Sequence, residues 1–555
     1  GNKATVENLM RVLISRTERL IVSEGGDAMI DTRKAKKPLS VSKGEIETYL
    51  AMDHVIKALQ ERNACVSSAI DYCKSAAYPL SFMEHYALKN EMRRQFKKDP
   101  DLSSAFRKSR HAWIDPDVLR NYNPLSYPNT RLQTLMKEAF SGPTERLLWI
   151  PPCMPCYTLS GDYNKVIDMS KILVFSCWEM VPRMISCLVS YEAERKTIGD
   201  PTYLLGRDEG KKVYFPSKND ESNVDAATTK KKSVTQRSPR PRLVFRALPK
   251  GINENPKNVS GLEATSEDTH ERGQMSLFSL LYPSITLAES FDVTKNLQNI
   301  LSLDEELASL AEYFQGLISD TNLNKYCNAS KTIDDTAWYW AAPIFLDMHF
   351  HRSEIRTWIG QRNPYIQDIR ADSAQKEHWD LVRRIIANEV DLNLGYIPED
   401  LPKKLALMAL GSPAILLYRS IQALAPDTSV SLRLHAATKL ADSFRDKFNL
   451  PESIAAIDLS IDEKGTYRER VIRYCAQGCL QSVLDEYMHM LRDSHGLQNH
   501  SGERRIKVIL EKFDASLSLR SAQLQFESLS HFLGKDKKDY NMRVHFATCY
   551  RNMKS

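Results

Sequence analysis

The sequence predicts a predominantly α-helical protein with a small α/β part, and three observations carry that prediction. Only 21 of the 555 residues are glycine, about half the usual ~7 %, which is too few for a turn-dense β protein. Long stretches place apolar residues at helical spacing. Two short apolar runs bounded by breakers have the length and composition of buried parallel strands. Hydrophobic residues make up 42 % and charged residues 26 % of the chain, the balance of a globular protein with ample length to bury a core. No run of about 18 apolar residues is present, so no membrane-spanning helix is predicted. The start of the chain lacks a signal-peptide core. Ten cysteines in 555 residues are too sparse for a disulfide scaffold, so a cytoplasmic location is expected.

The elements follow in order. Residues 1–62 read as helix and loop, with Ile46, Leu50, Val55, Ile56 and Leu59 on one helical stripe over 46–60. Residues 63–140 continue helical, interrupted by a loop rich in Asn and Pro at 121–129. The run RLLWI at 146–150 is stopped by Pro151 and Pro152, and KILVFS at 171–176 is β-branched and aromatic. The second run leads directly into a helix-length stretch from Trp178 to Arg195, with Pro182 near its first turn, where proline is tolerated. A strand followed by a helix is half of a βαβ unit. Adjacent parallel strands are therefore predicted within 146–195, with Ile172, Val174 and Phe175 buried.

Residues 204–273 are polar and broken, and most of this span reads as a mobile linker, although LVFRAL at 243–248 has strand composition. Between 206 and 242 there are ten Lys/Arg and five Asp/Glu, a net +5 out of +6 for the whole chain. The basic character thus belongs to one linker rather than to a basic domain. From 274 to about 495 the chain reads as mostly helical. Ser302 and Glu305 form a capping box, followed by Leu307, Leu310, Ala311, Phe314 and Leu317 at helical spacing. Leu432 to Phe448 and Tyr467 to Leu491 are further helices. Residues 515–526 alternate like a strand, and MRVHFA at 542–547 reads as a last strand.

Motifs for chemistry are scarce. A Walker A loop is absent, since Gly206 to Lys212 has the wrong spacing and no Ser/Thr. Asp485-Glu486 lies inside an amphipathic helix and reads as a solvated or packing face. Cys153 and Cys156 have metal-ligand spacing, and Cys475 and Cys479 lie a turn apart. Four thiolates could hold zinc, but nothing in the sequence joins the pairs, and inert buried thiols are the reading adopted. Trp338, Tyr339 and Trp340 read as core before base-stacking groups. Asp347, His349, His351 and Glu354 fall within two turns, but alternate residues on a helix point apart, so no metal is expected.

Several blocks taken together resemble a bacterial group of Swi/Snf-type helicase-like ATPases of superfamily 2. Residues 11–20 (RVLISRTERL) resemble the segment following the first RecA-like lobe, and 129–135 (NTRLQTL) the lead-in to the second. Residues 171–181 (KILVFSCWEMV) resemble helicase motif IV, and the continuation to Gly199 resembles a subgroup with a long insertion after this helix. Residues 276–288, 338–347 and 474–491 resemble blocks of that insertion, and 542–547 the strand before motif V. The resemblance implies a partial RecA-like parallel sheet plus a large all-helical insertion. It divides the chain into a helical segment at 1–128, the start of the second lobe at 129–203, a mobile basic and polar linker at 204–273, the helical insertion at 274–500 and a return to the second lobe at 501–555. The family's Walker A, Asp-Glu box, motif V and motif VI are not in this sequence, so the chain reads as a fragment unable to hydrolyse ATP by itself. ATP and Mg²⁺ belong to the parent protein, whose partners are DNA and its own first lobe, with no membrane. By the same resemblance, Ser176 and Trp178, at a strand's carboxyl end, lie near the nucleic-acid track. The alternative is a stand-alone helical protein-interaction module.

Overall fold

The computed structural model describes residues 40–62, 68–167, 169, 172, 174, 176–200, 214–215, 241–245, 277–327, 334–360, 373–389, 392, 394–462, 465–517, 522–536, 538 and 540–544. These residues are mostly helical, with one two-stranded antiparallel sheet. They divide into two units. The first takes residues 40–145, 172–215 and 522–544, and the second takes 146–169 and 241–517. The chain therefore leaves the first unit and re-enters it twice.

In the first unit, the helix Lys43–Gln60 begins with a reciprocal cap. The Glu45 N–H donates to the Ser42 hydroxyl, and the Ser42 N–H donates to the Glu45 carboxylate at 2.9 Å. The helix buries Met52, Val55, Ile56 and Leu59, whereas Ile46 and Leu50 are exposed. At about 100° per residue the first two apolar positions stand roughly opposite the other four, so the single stripe expected over 46–60 splits into two faces. Asn129 caps the helix Thr130–Ala139 by accepting from the Leu132 N–H at 2.9 Å.

The helix Met180–Lys196 buries Met184, Cys187, Leu188 and Tyr191 and packs against the sheet. That sheet pairs β1 (Ala522–Phe526) with β2 (Tyr540–Val544), in a register that sets Ala522 opposite Val544 and Phe526 opposite Tyr540. Between the strands, Phe532 fits among Phe96, Phe106 and Trp113, at ring-centroid distances of 5.9, 5.4 and 5.3 Å. Phe532 and its neighbours bury one aromatic cluster built from residues more than 400 positions apart.

Two buried ion pairs fasten this returning segment. Lys89 Nζ lies 2.9 Å from the Glu527 carboxylate and 3.7 Å from the centre of the Trp113 ring. Arg543 pairs with Glu194 through both ends of its guanidinium, one of the two contacts being 3.0 Å. The Arg543 guanidinium also sits 4.1 Å over the Tyr214 ring. Tyr214 is fully buried between Tyr122 and Tyr191. It falls in the span expected to be a mobile linker. Its ring supplies apolar area and its hydroxyl accepts from the Arg543 N–H at 3.1 Å, which holds this point of the span in place.

The expected pair of parallel strands is not found among the described residues. The run at 146–150 belongs to the second unit and follows a short 3₁₀ turn, Thr144–Arg146. Its backbone and side-chain donors go to helices instead of to a neighbouring strand: the Leu148 N–H to the Tyr474 hydroxyl at 2.8 Å, and Trp149 Nε1–H to the Gly478 carbonyl at 2.9 Å. Ile172 and Val174 are exposed and lie in no strand. Leu173 and Phe175 lie outside the described residues, as do 1–39, most of 204–273 and 545–547. Of the strand expected over 515–526, the described residues show 522–526 as strand and 515–517 as helix, and 518–521 lie outside them. The helix Gly502–Leu517 runs through its first part because Ile506, Ile509, Leu510 and Phe513 keep helical spacing. That helix, expected with the second lobe, belongs to the second unit.

The described residues of the second unit are mainly helical, the helices including Leu303–Thr321, Trp338–Phe350, Leu401–Gly411, Pro413–Leu424, Val430–Phe448, Tyr467–Gln477 and Leu480–Ser494. The Ser302–Glu305 capping box forms as the sequence predicts. The single helix expected from Tyr467 to Leu491 is two, broken at Gly478 and at Cys479, whose φ is +44°. Trp149 and Tyr163 stand where a Gly478 side chain would be, which is why the chain turns there without one. Gly411 is likewise fixed by packing, because a Cβ would run into the Ile472 carbonyl of the neighbouring helix. Residues 241–245 also dock here: Asn449 Oδ1 accepts from the Leu243 N–H and its Nδ2 donates to the Leu243 carbonyl, both at 2.8 Å. Leu243 and Phe245 are buried, so this stretch is ordered by a paired amide and two anchors. No single helix among the described residues is long and apolar enough to cross a membrane. The apolar helices Leu401–Gly411 and Pro413–Leu424, bent by 50° at their break, lie in the core of this unit.

Candidate nucleic-acid interface

The two residues expected near a nucleic-acid track sit at the entry to the helix Met180–Lys196. Ser176 is exposed, and its hydroxyl accepts from the Trp178 N–H at 3.1 Å, which bends the chain toward the helix. Trp178 is half-buried. Its ring stacks on Tyr86 at 5.9 Å with an interplanar angle of 13°, and meets the edge of the buried Tyr72 at 5.7 Å. Tyr86 in turn gives its hydroxyl oxygen to the Met180 N–H at 3.2 Å, satisfying one donor at the start of the helix. Trp178 therefore packs the helix start and still leaves part of its ring toward solvent. A half-exposed aromatic stack beside a hydroxyl and a helix start can offer a base a stacking face and a phosphate polar donors.

One turn further on, Arg183 pairs with Glu84 at 2.8 Å. The guanidinium holds the Glu84 carboxyl below the usual carboxylate range. Much of the positive charge nearest the stack is thus already paired, and any phosphate contact must compete with Glu84.

The other candidates resolve as packing. Trp338 and Trp340 are buried, with Trp338 Nε1–H donating to the Gly395 carbonyl at 3.0 Å, and Tyr339 donates to Asp400 at 2.6 Å. Asp347 is buried and accepts from the Ser284 hydroxyl, the Ile285 N–H, and the Thr286 N–H and hydroxyl at 2.7–3.2 Å. Burial pushes its carboxyl up, against the downward pull of these donors. His351 lies 3.5 Å from Glu289, His349 is exposed, and Glu354 accepts from Ser353. These four side chains face different partners. Asp485 accepts from Ser420 and Gln481 in the interior, and Glu486 accepts from the Met154 N–H at 2.9 Å, so this acidic pair is a packing face. Among the described residues, no group of three or more His, Cys, Asp or Glu could hold a metal ion.

The structure does join one residue from each cysteine pair. Cys156 Sγ and Cys479 Sγ are 3.4 Å apart in the second unit. The sequence offered no signal for this contact, because 323 residues separate the two. The same holds for Glu194 with Arg543 and for Lys89 with Glu527. Comparison of the chain with protein-family models, with curated proteins and with solved structures returns no match.

Proposed function

We propose that the chain is part of an ATP-dependent DNA helicase or translocase of the Swi/Snf type, contributing a piece of the second RecA-like lobe and a large helical insertion. One observation carries the reading. The block resembling motif IV and its helix, and the block resembling the strand before motif V, lie in one unit although about 350 residues apart, while the three insertion-like blocks lie in the other. That arrangement is what an insertion within a lobe requires. In this reading the antiparallel pair of strands stands at the margin of the lobe, and ATP and Mg²⁺ belong to the ATPase as a whole rather than to a site among the described residues. The chain's own share is DNA contact and support. Ser176 and Trp178 border the DNA track, and their contacts position the backbone without reading sequence.

The experiment is DNA binding by fluorescence anisotropy, with single- and double-stranded oligonucleotides over a salt series. Base–aromatic stacking is worth ~1–3 kcal/mol per base, so Trp178→Ala should weaken binding by roughly 5- to 150-fold. Binding that ignores both Trp178→Ala and Ser176→Ala would leave Trp178 a packing residue only. A second reading, a helical protein-interaction module, is favoured by one feature. Ile46, Tyr49 and Leu50 stand exposed together on the helix Lys43–Gln60, a face of the kind that docks a partner helix.

A further inference from the structure

The contact between Cys156 and Cys479 has geometry that packing alone does not require. Both residues are completely buried. Both are also oriented by the same side chain: the Ser482 hydroxyl oxygen accepts from the Cys156 N–H at 3.1 Å and lies 3.4 Å from Cys479 Sγ. Cys479 occupies the N-cap of the 15-residue helix Leu480–Ser494 with a left-handed backbone, φ +44° and ψ +54°. A non-glycine residue rarely adopts that conformation, and here it turns the sulfur toward Cys156. The positive end of the helix favours negative charge at that sulfur. The buried Arg419, whose Nη1 donates to Gln481 at 2.7 Å, adds a positive charge from the neighbouring helix Pro413–Leu424. Asp485, on the Leu480–Ser494 helix, is the opposing acidic group. Burial pushes the Cys479 thiol up, but its hydrogen bonds with Cys156 and Ser482 outweigh it and hold it below the ordinary thiol value. The Cys156 thiol is held well above that value by Cys479 and by burial.

We propose that Cys156 and Cys479 are a peroxide-responsive thiol pair, whose oxidation pins the segment 147–159 to the start of the helix Leu480–Ser494. The oxidant is hydrogen peroxide. The Cys479 thiolate attacks one peroxide oxygen, an S–O bond forms, the O–O bond breaks, and hydroxide leaves. Cys156 then gives up its proton and attacks the Cys479 sulfur. The S–S bond forms, the S–O bond breaks, and the departing hydroxide takes that proton to become water. The two sulfurs close from 3.4 Å to the ~2.05 Å of an S–S bond. Because both are buried, peroxide reaches them through local opening, and reaction is slower than at the exposed Cys153 and Cys177.

The test treats the whole chain with hydrogen peroxide, blocks remaining thiols with N-ethylmaleimide under denaturing conditions, and maps linked peptides by mass spectrometry without reductant. The expected product joins the Cys156 and Cys479 peptides, reverts with dithiothreitol, and raises the unfolding midpoint of the second unit. Cys479→Ser, or Cys479→Ala if the serine variant does not fold, should abolish both the link and the shift. The proposal is overturned if both cysteines remain open to N-ethylmaleimide after Cys153 and Cys177 have been oxidised. It is equally overturned if the dominant link is Cys153 to Cys156.

Discussion

Replacing Glu194 by Gln tests how the returning segment is held in the first unit. The Glu194 carboxylate receives both ends of the Arg543 guanidinium and the Tyr122 hydroxyl, the last at 2.5 Å. Both charged side chains are under 10 % exposed. Burial alone would lower the Arg543 pKa, but the Glu194 charge holds it above the usual arginine value, so the arginine stays charged whatever replaces the glutamate. Glu194→Gln therefore leaves a buried guanidinium facing a neutral amide. Removing one partner of such a pair costs ~3–5 kcal/mol, because the remaining charge is uncompensated. In a unit of this size each kcal/mol moves the midpoint by ~2–4 °C, so the first unit should melt roughly 6–20 °C lower. The double variant Glu194→Leu with Arg543→Met removes both charges and should recover much of the loss, since a buried pair is worth little against an apolar one. Thermal and urea unfolding, followed by circular dichroism with a probe for each unit, would measure both. A single-variant cost below ~1 kcal/mol would mean that the pair is wet or mobile, and the account of the returning segment would fail.

Three further outcomes are expected. Asp347→Ala strands four buried donors at the start of the helix Ile285–Glu289 and should cost the second unit ~3–5 kcal/mol by urea unfolding. Gly411→Ala should destabilise the same unit by ~1–3 kcal/mol, because it drives a methyl into the Ile472 backbone, whereas Gly316→Ala, exposed within the helix Leu303–Thr321 with open space around the added methyl, should stabilise it by ~0.5–1 kcal/mol. Burial brings the Lys89 pKa down to about 7, outweighing the pull of Glu527. The unfolded chain, with an ordinary lysine, then binds the extra proton above pH ~7, so wild-type stability should rise with pH from about 7 towards 10 relative to Lys89→Met. Parallel pH profiles of the two proteins would refute this.

Local features were legible because their causes are local. The Ser302–Glu305 capping box and the core placement of Trp338 follow from neighbours within one or two turns. The same Ser/Thr-x-x-Glu pattern also starts two further helices, at Ser42–Glu45 and Thr466–Glu469, so those starts were readable by the same rule. Gly478 was the available sign that the helix from Tyr467 breaks. Apolar runs misled where tertiary partners decide the backbone. RLLWI at 146–150 has strand composition, yet Tyr474 and Gly478 take its donors. Tyr214 and Leu243 sit in polar stretches, and only distant partners, Arg543 and Asn449, give them a fixed place. Of the candidate site, the helix that follows Trp178 was readable from its length and composition, whereas the strand end expected to carry Ser176 is not found among the described residues. The stack on Tyr86 was not readable, because no local pattern links residues 86 and 178.

The central claim is that the entry to the helix Met180–Lys196 faces DNA while the second unit serves as a helical insertion. Hydrogen exchange of the whole chain, with and without a short DNA duplex at low salt, tests it most directly. The account predicts slowed exchange concentrated at residues 176–184 and around Tyr86, lost in Trp178→Ala. Protection confined to the second unit, or none anywhere at a DNA concentration that saturates anisotropy, would contradict it.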